Sequence, residues 1–228
     1  MKLSVLAAAA ILLLTARAAR AERRSLTDVP CKGCLARVDD GKTPQPLLVV
    51  LHGDYGQGPR ELLLAWDRFA APRGVAVLSL ACPKDLGCKQ SFWQWDGSPQ
   101  WILAEVDKLA ASYAIDRKRL WIAGWSGGST YMGMETRALE PTFAAMVHHG
   151  GGYPPPSGAC VTPAIPVYFL VSSGNPYHDH QKALRDAYVA CGHDVTWTVV
   201  PHVDHAAEWA ALTKYGGAIL EWLLTKHR

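Results

Sequence analysis

The segment Gly124-Trp125-Ser126-Gly127-Gly128 allows the backbone few courses. An apolar run, 120–123, leads into it, and a stretch of helical character, 127–139, leads out. Strand, sharp turn and helix in that order press two backbones together at the corner. Glycine at Gly124 and Gly128 leaves room where a Cβ would collide. The same corner strains the backbone at Ser126 and lifts its hydroxyl clear of the sheet edge. The free N–H groups of the following helix point at that hydroxyl and favour a negative charge developing beside it. A Gly-x-Ser-x-Gly string arises by chance in many chains. Here the flanking strand and helix supply the context that gives it meaning.

The rest of the chain alternates. Residues 47–51 and 75–80 are unbroken apolar runs, the pattern of strands buried on both faces of a parallel sheet. Further strands are expected at 143–148, 166–172 and 194–200. Helices are expected at 61–71, 100–113, 127–139, 180–190 and 208–226. In the second of these, Ile102, Val106, Leu109 and Tyr113 form an apolar stripe at helical spacing. This alternation predicts the α/β class, an open, mostly parallel sheet with helices on both faces. Residues 22–46, broken by Pro30, Pro44 and Pro46, read as an irregular lead-in with one edge strand at 35–38. No linker or repeat divides residues 47–228, which are expected to form one domain.

Residues 1–21 read differently. A basic start at Lys2, an apolar run at 3–14 and the small-residue stretch ending at Ala21 predict a secretory signal peptide, cleaved after Ala21 or Ala18. The run is too short to span a bilayer comfortably. Removing it takes away Lys2, Arg17 and Arg20, which cancels the formal charge of +3. Charge therefore gives no argument for nucleic acid or an anionic membrane as a partner. An exported protein, periplasmic or secreted, is expected. All six cysteines lie downstream of the leader, and an even count in that compartment predicts disulfides. Cys82 and Cys88 bracket a short loop and form the simplest pair. Cys31 and Cys34 make a Cys-x-x-Cys that lacks the strand–helix setting of a redox motif, so a structural bridge is expected there.

A serine nucleophile requires a base within hydrogen-bond reach, an acid to hold that base, and donors for the oxyanion. The base is expected in the loop after the last strand, Pro201-His202-Val203-Asp204-His205. His205, just before the closing helix, is the first choice and His202 the reserve. Asp204 adjoins His205 and is poorly placed to reach its Nδ1. The acid is expected after strand 166–172, in Ser173-Gly174-Asn175-Pro176-Tyr177-His178-Asp179. Asp179 is the candidate, because an asparagine at 175 orients an imidazole but cannot stabilise the imidazolium as a carboxylate does. The competing role for Asp179 is to cap the helix that follows. The oxyanion donors are expected to be the amide of Gly127 and an amide from the 52–56 loop, Asp54 first and Tyr55 as alternate. The Asp54 carboxylate must then point away from the hole.

Nine tryptophans are many for this length. Trp93, Trp95 and Trp125, with Tyr55, are candidates for the wall of an apolar or aromatic substrate pocket, whereas Trp101 and Trp121 read as core. His178-Asp179-His180 and His202 to His205 could offer metal ligands, but that reading gives the Ser126 corner no purpose. His148-His149 ends a strand at the same sheet edge, either lining the cleft or buried and satisfied.

On Leu51-His52-Gly53, the glycine–serine corner and His205, the chain resembles the α/β-hydrolase superfamily over residues 45–228. Within it, the chain is similar to secreted bacterial esterases of the polyhydroxybutyrate depolymerase and feruloyl esterase type. The resemblance implies no cofactor, no metal, and a serine–histidine–acid triad acting on a small or polymeric ester. Asn175 departs from the usual acid position. A peptidase or amidase with the same triad, and an inactive binding protein of the same fold, are the alternatives.

Overall fold

The computed structural model describes residues 22–89, 93, 97–156, 160 and 163–228. The expected leader, 1–21, and Trp95 lie outside these residues. The described strands are β1 (Arg23–Thr27), β2 (Leu35–Asp39), β3 (Gln45–Leu51), β4 (Ala76–Leu80), β5 (Ile115–Trp125), β6 (Ala145–His149), β7 (Val167–Ser172) and β8 (Val195–Val200). They form one sheet in the order β1-β2-β4-β3-β5-β6-β7-β8. From β4 to β8 every pair is parallel, while β1–β2 and β2–β4 are antiparallel.

Side-chain alternation along the strands makes two cores. Leu47, Val49 and Leu51 of β3 face one side, with Val106 and Leu109 of α2 (Gln100–Ser112), Met132 of α3 (Gly127–Met134) and Leu184 of α5 (His178–Ala190). Leu48 and Val50 face the other, with Leu62 and Trp66 of α1 (Pro59–Ala70) and Leu212, Ile219 and Leu223 of α6 (His205–Leu224). A buried leucine or tryptophan on either face contributes about 1.5–3 kcal/mol through removal from water. Parallel strands all end on one edge, and the loops that leave β3, β5, β6, β7 and β8 gather there.

The lead-in holds two strands where the sequence suggested one. β1 carries Arg23, Arg24 and Ser25 with Leu26 as its one apolar residue, too little to mark a strand. Its pairing with β2 is reinforced by Arg23, which reaches Asp39 at 3.1 Å and Asp67 at 2.5 Å. The expected helix 127–139 is broken at Glu135, which separates α3 from the short α4 (Thr136–Leu139). The closing helix starts three residues earlier than expected, at His205, because Asp204 caps it and accepts the Ala207 N–H at 2.8 Å. Three disulfides join Cys31 to Cys34, Cys82 to Cys88 and Cys160 to Cys191. No described helix is long and apolar enough to cross a membrane.

Candidate active site

Ser126 stands between β5 and α3 at φ 51° and ψ −112°, a conformation that side-chain-bearing residues rarely adopt. The fold holds it there. Its N–H donates to the His149 carbonyl at 2.9 Å, and its own carbonyl accepts the Thr130 N–H at 2.9 Å. A Cβ at Gly124 would lie 2.5 Å from the Ser129 backbone nitrogen, and one at Gly128 2.5 Å from the Leu51 carbonyl oxygen. Both glycines are thus steric requirements of the corner.

The strained turn presents the Ser126 hydroxyl to His205, and Oγ donates to Nε2 at 2.8 Å. His205 is the first residue of α6, and four residues surround its ring. Trp125 lies flat against it, with ring centroids 4.8 Å apart and planes 5° apart. Tyr177 meets it edge-on at 5.6 Å. At Nδ1 the neighbours are Asn175 Nδ2 at 3.1 Å and Glu208 Oε2 at 3.7 Å. A hydroxyl in contact with a fixed imidazole can lose its proton as it attacks an electrophile.

The structure does not bring Asp179 to His205. The chain turns tightly after β7, with the Asn175 N–H on the Ser172 carbonyl and the His178 N–H on the Asn175 carbonyl. That turn starts α5 at His178. Asp179 falls in its first turn, 91% exposed, where it pairs with Lys182 at 3.2 Å. The residue left over His205 is Asn175, which is buried. His202 is also away from the site, exposed and in a left-handed conformation with φ 51°. Asp204 serves as the helix cap, consistent with its poor reach toward the ring.

The loop after β3 carries the other expected contributors. His52 is buried, and burial pushes its pKa down. It accepts the Cys82 N–H at Nε2 (3.1 Å) and reaches the Gly53 carbonyl through Nδ1 (2.7 Å), so it braces the loop as a neutral ring. Asp54 Oδ1 accepts the Trp93 N–H at 3.0 Å. The Asp54 carboxylate packs against Gly127, where an added Cβ would collide with it. It therefore sits beside the expected oxyanion amide instead of well away from it. Burial raises its pKa, opposed by the Trp93 N–H.

Tyr55, Trp93, Ser126, Gly127, Tyr177 and His205 line one open cleft. Tyr55 is exposed at its rim. Trp93 is buried and packs against His52 and Tyr131. Trp125 also borders the cleft, but it is buried, and its main contact is the back of His205. Trp121 is fully buried and Trp101 packs against the core, as expected. His148 and His149 are both buried and hydrogen-bonded, to Ser129 Oγ at 2.9 Å and to the Glu208 carbonyl at 3.0 Å. Among the described residues no cluster of three histidine, cysteine or carboxylate side chains could hold a metal ion.

No protein-family model and no curated protein matches the sequence. Solved structures do match. A thermostable esterase superposes with a TM-score of 0.63 at 20% identity, over 92% of this chain and 64% of its own. The chain thus spans less than two thirds of that esterase. The fluorophosphonate-binding serine hydrolase F of Staphylococcus aureus superposes at 0.66 with 13% identity, over 90% of this chain and 98% of its own. The carboxylesterase of Bacillus cereus does so at 0.60 with 15% identity, over 81% and 93%. The fold is the α/β-hydrolase fold.

Within this α/β-hydrolase fold, the residue that sequence reasoning missed is Glu208. It is fully buried and one turn along α6 from His205. A helix start placed at 208 hid it, because a first-turn glutamate reads as ordinary dipole compensation. The available signal was its position on the stripe of Leu212, Gly216, Ile219 and Leu223, where a carboxylate is out of place.

Proposed function

We propose that the protein is a serine hydrolase that cleaves carboxylic esters through an acyl-enzyme on Ser126. The 2.8 Å contact between Ser126 Oγ and His205 Nε2, across a strained strand–helix corner, carries the reading. In this scheme His205 takes the hydroxyl proton as Oγ attacks the ester carbonyl, then delivers it to the leaving alcohol. Water attacks the acyl-enzyme with His205 again as base. The amides of Gly127, at the N-terminus of α3, and of Asp54 hold the oxyanion, with Tyr55 the alternate donor. Removing one such donor costs about 10²–10³ in turnover in a comparable site.

The lining of the cleft supports the substrate class. Exposed Tyr55, Met134, Tyr153 and Tyr177 line it, together with buried Trp93. Aromatic and sulfur-bearing walls suit an apolar or aryl acyl group, in line with the resemblance to polyhydroxybutyrate depolymerases and feruloyl esterases. We also place the protein outside the cytoplasm. The paired cysteines support an oxidising compartment, and the apolar run at 3–14 supports a cleaved leader.

The test is Ser126→Ala assayed on short-chain and aryl esters, with fluorophosphonate labelling of the oxidised protein alongside. Wild type should be labelled and should turn over esters, and the variant should do neither. Equal turnover by the two would refute the assignment.

A further inference from the structure

We propose that Glu208 supplies the negative charge that supports His205, in the place normally taken by an acid after β7, and that Asn175 holds its carboxylate in position. The inference rests on the serine hydrolase reading. It assigns Glu208 as a positioning residue that acts through the imidazole.

The proton on His205 decides what must stand at Nδ1. To accept a proton from Ser126 at Nε2, the neutral ring must carry its own proton on Nδ1, and that N–H needs an acceptor. Two side chains stand there. The orientation of the Asn175 amide is set by its other bonds. Its Oδ1 accepts the Tyr177 N–H at 2.8 Å, so Nδ2, a donor, is the atom that faces the ring at 3.1 Å. Nδ2 donates to the Gly150 carbonyl at 3.2 Å and to Glu208 Oε2 at 2.5 Å. Asn175 therefore offers Nδ1–H no acceptor. Glu208 Oε2 does, at 3.7 Å from Nδ1, and it is the acceptor on which both N–H groups converge. That distance exceeds a hydrogen bond by less than an ångström, a gap of the kind that closes as the imidazole gains charge.

Burial and helix position point the same way. Glu208 is 0% exposed, and its second oxygen, Oε1, has no hydrogen-bond partner. A carboxylate so placed is costly unless it meets a cation. Among the described residues no lysine or arginine pairs with it, and the group it faces that becomes cationic in catalysis is His205. His205 is also the first residue of a helix twenty residues long. The positive end of that helix opposes an imidazolium there. A buried negative charge one turn inside the same helix offsets it. The spacing His205-x-x-Glu208 puts both groups on one face, so a single helix carries base and counter-charge together.

The experiment measures kcat, KM and the pH dependence of kcat/KM on p-nitrophenyl acetate. The proteins are wild type, Glu208→Gln, Asn175→Asp/Glu208→Gln and Ser126→Ala. Glu208→Gln should lower kcat by about 10³-fold or more, with KM changed little, on the scale of acid-to-amide change in a protease triad. Its acidic limb should move to lower pH, because the lost charge no longer favours the imidazolium. The double variant exchanges amide and carboxylate within the same space. It should recover at least about ten-fold of that loss and return the limb toward wild type. It reports even where the single variant fails to fold. A Glu208→Gln protein within about ten-fold of wild type and with an unmoved limb overturns the proposal. So does a double variant as poor as the single one. Undiminished turnover in Ser126→Ala instead overturns the hydrolase reading itself, so the two failures are distinct.

Discussion

The indole of Trp125 and the imidazole of His205 are parallel to within 5°, with centroids 4.8 Å apart. One precedes the strained serine and the other opens the last helix, so this stack joins two ends of the site. Trp125 is in turn anchored by its Nε1–H on Gln57 at 3.2 Å, and the chain at Gly53 and Gly150 packs directly on its ring. The imidazole has freedom to rotate only as far as this surface allows.

Replacing Trp125 with Phe should therefore loosen both the base and the fold. Turnover is expected to drop about ten- to hundred-fold, as misplacement of a reacting group does. Loss of buried ring area should cost about 1–3 kcal/mol. Ester kinetics with a denaturant titration check both. Full activity in the variant means that the stack does not position His205.

Asp179 makes a contrasting case. Its carboxylate is turned to solvent and pairs with Lys182, the kind of surface pair worth about 0–1 kcal/mol. Asp179→Ala should leave kcat and KM unchanged. Strong loss of turnover would mean that α5 rearranges to carry the side chain to the imidazole.

Asp204 holds the first turn of α6, and with it the backbone of His205. Asp204→Ala removes the acceptor of the Ala207 N–H and should cost about 1 kcal/mol. Thermal unfolding measures this, and Asp204→Ser should restore most of it. An unchanged Tm would show that the cap carries no stability.

Stability should also depend on pH. Burial pushes His148 and His149 each down to about 3, whereas imidazoles in the unfolded chain titrate near about 6.5. Between those values the unfolded state binds more protons, so the free energy of unfolding falls as pH drops through that window. Glu140 opposes part of this, since burial raises it to about 7 and its folded form keeps a proton that the unfolded form gives up. Burial shifts His52 and His193 the same way as His148 and His149, and Asp54 and Glu135 the same way as Glu140, so four histidines stand against three carboxyl groups. Each uncompensated proton is worth about 1.4 kcal/mol per pH unit. Tm measured by circular dichroism should fall from pH 6.5 to pH 4 and more steeply below the range where unfolded glutamates titrate. A Tm that holds level or rises toward acid would contradict it.

The sequence by itself determined the elements that depend on local patterns. Apolar runs marked β3 and β4, helical spacing marked α2, and two obligatory glycines around Ser126 marked the corner, because sterics and side-chain periodicity are properties of neighbouring residues. His205 followed from chain order. The acid did not. Asn175, Asp179, Asp204 and Glu208 all lie near the right loops, and adjacency along the chain cannot say which of these side chains faces a ring. The turn after β7 faces Asn175 inward and sends Asp179 outward, while a cap at Asp204 starts α6 early enough to aim Glu208 at Nδ1. Those are choices of helix phase and loop closure. One residue of phase turns a helical side chain by about 100°, and only packing in three dimensions fixes it.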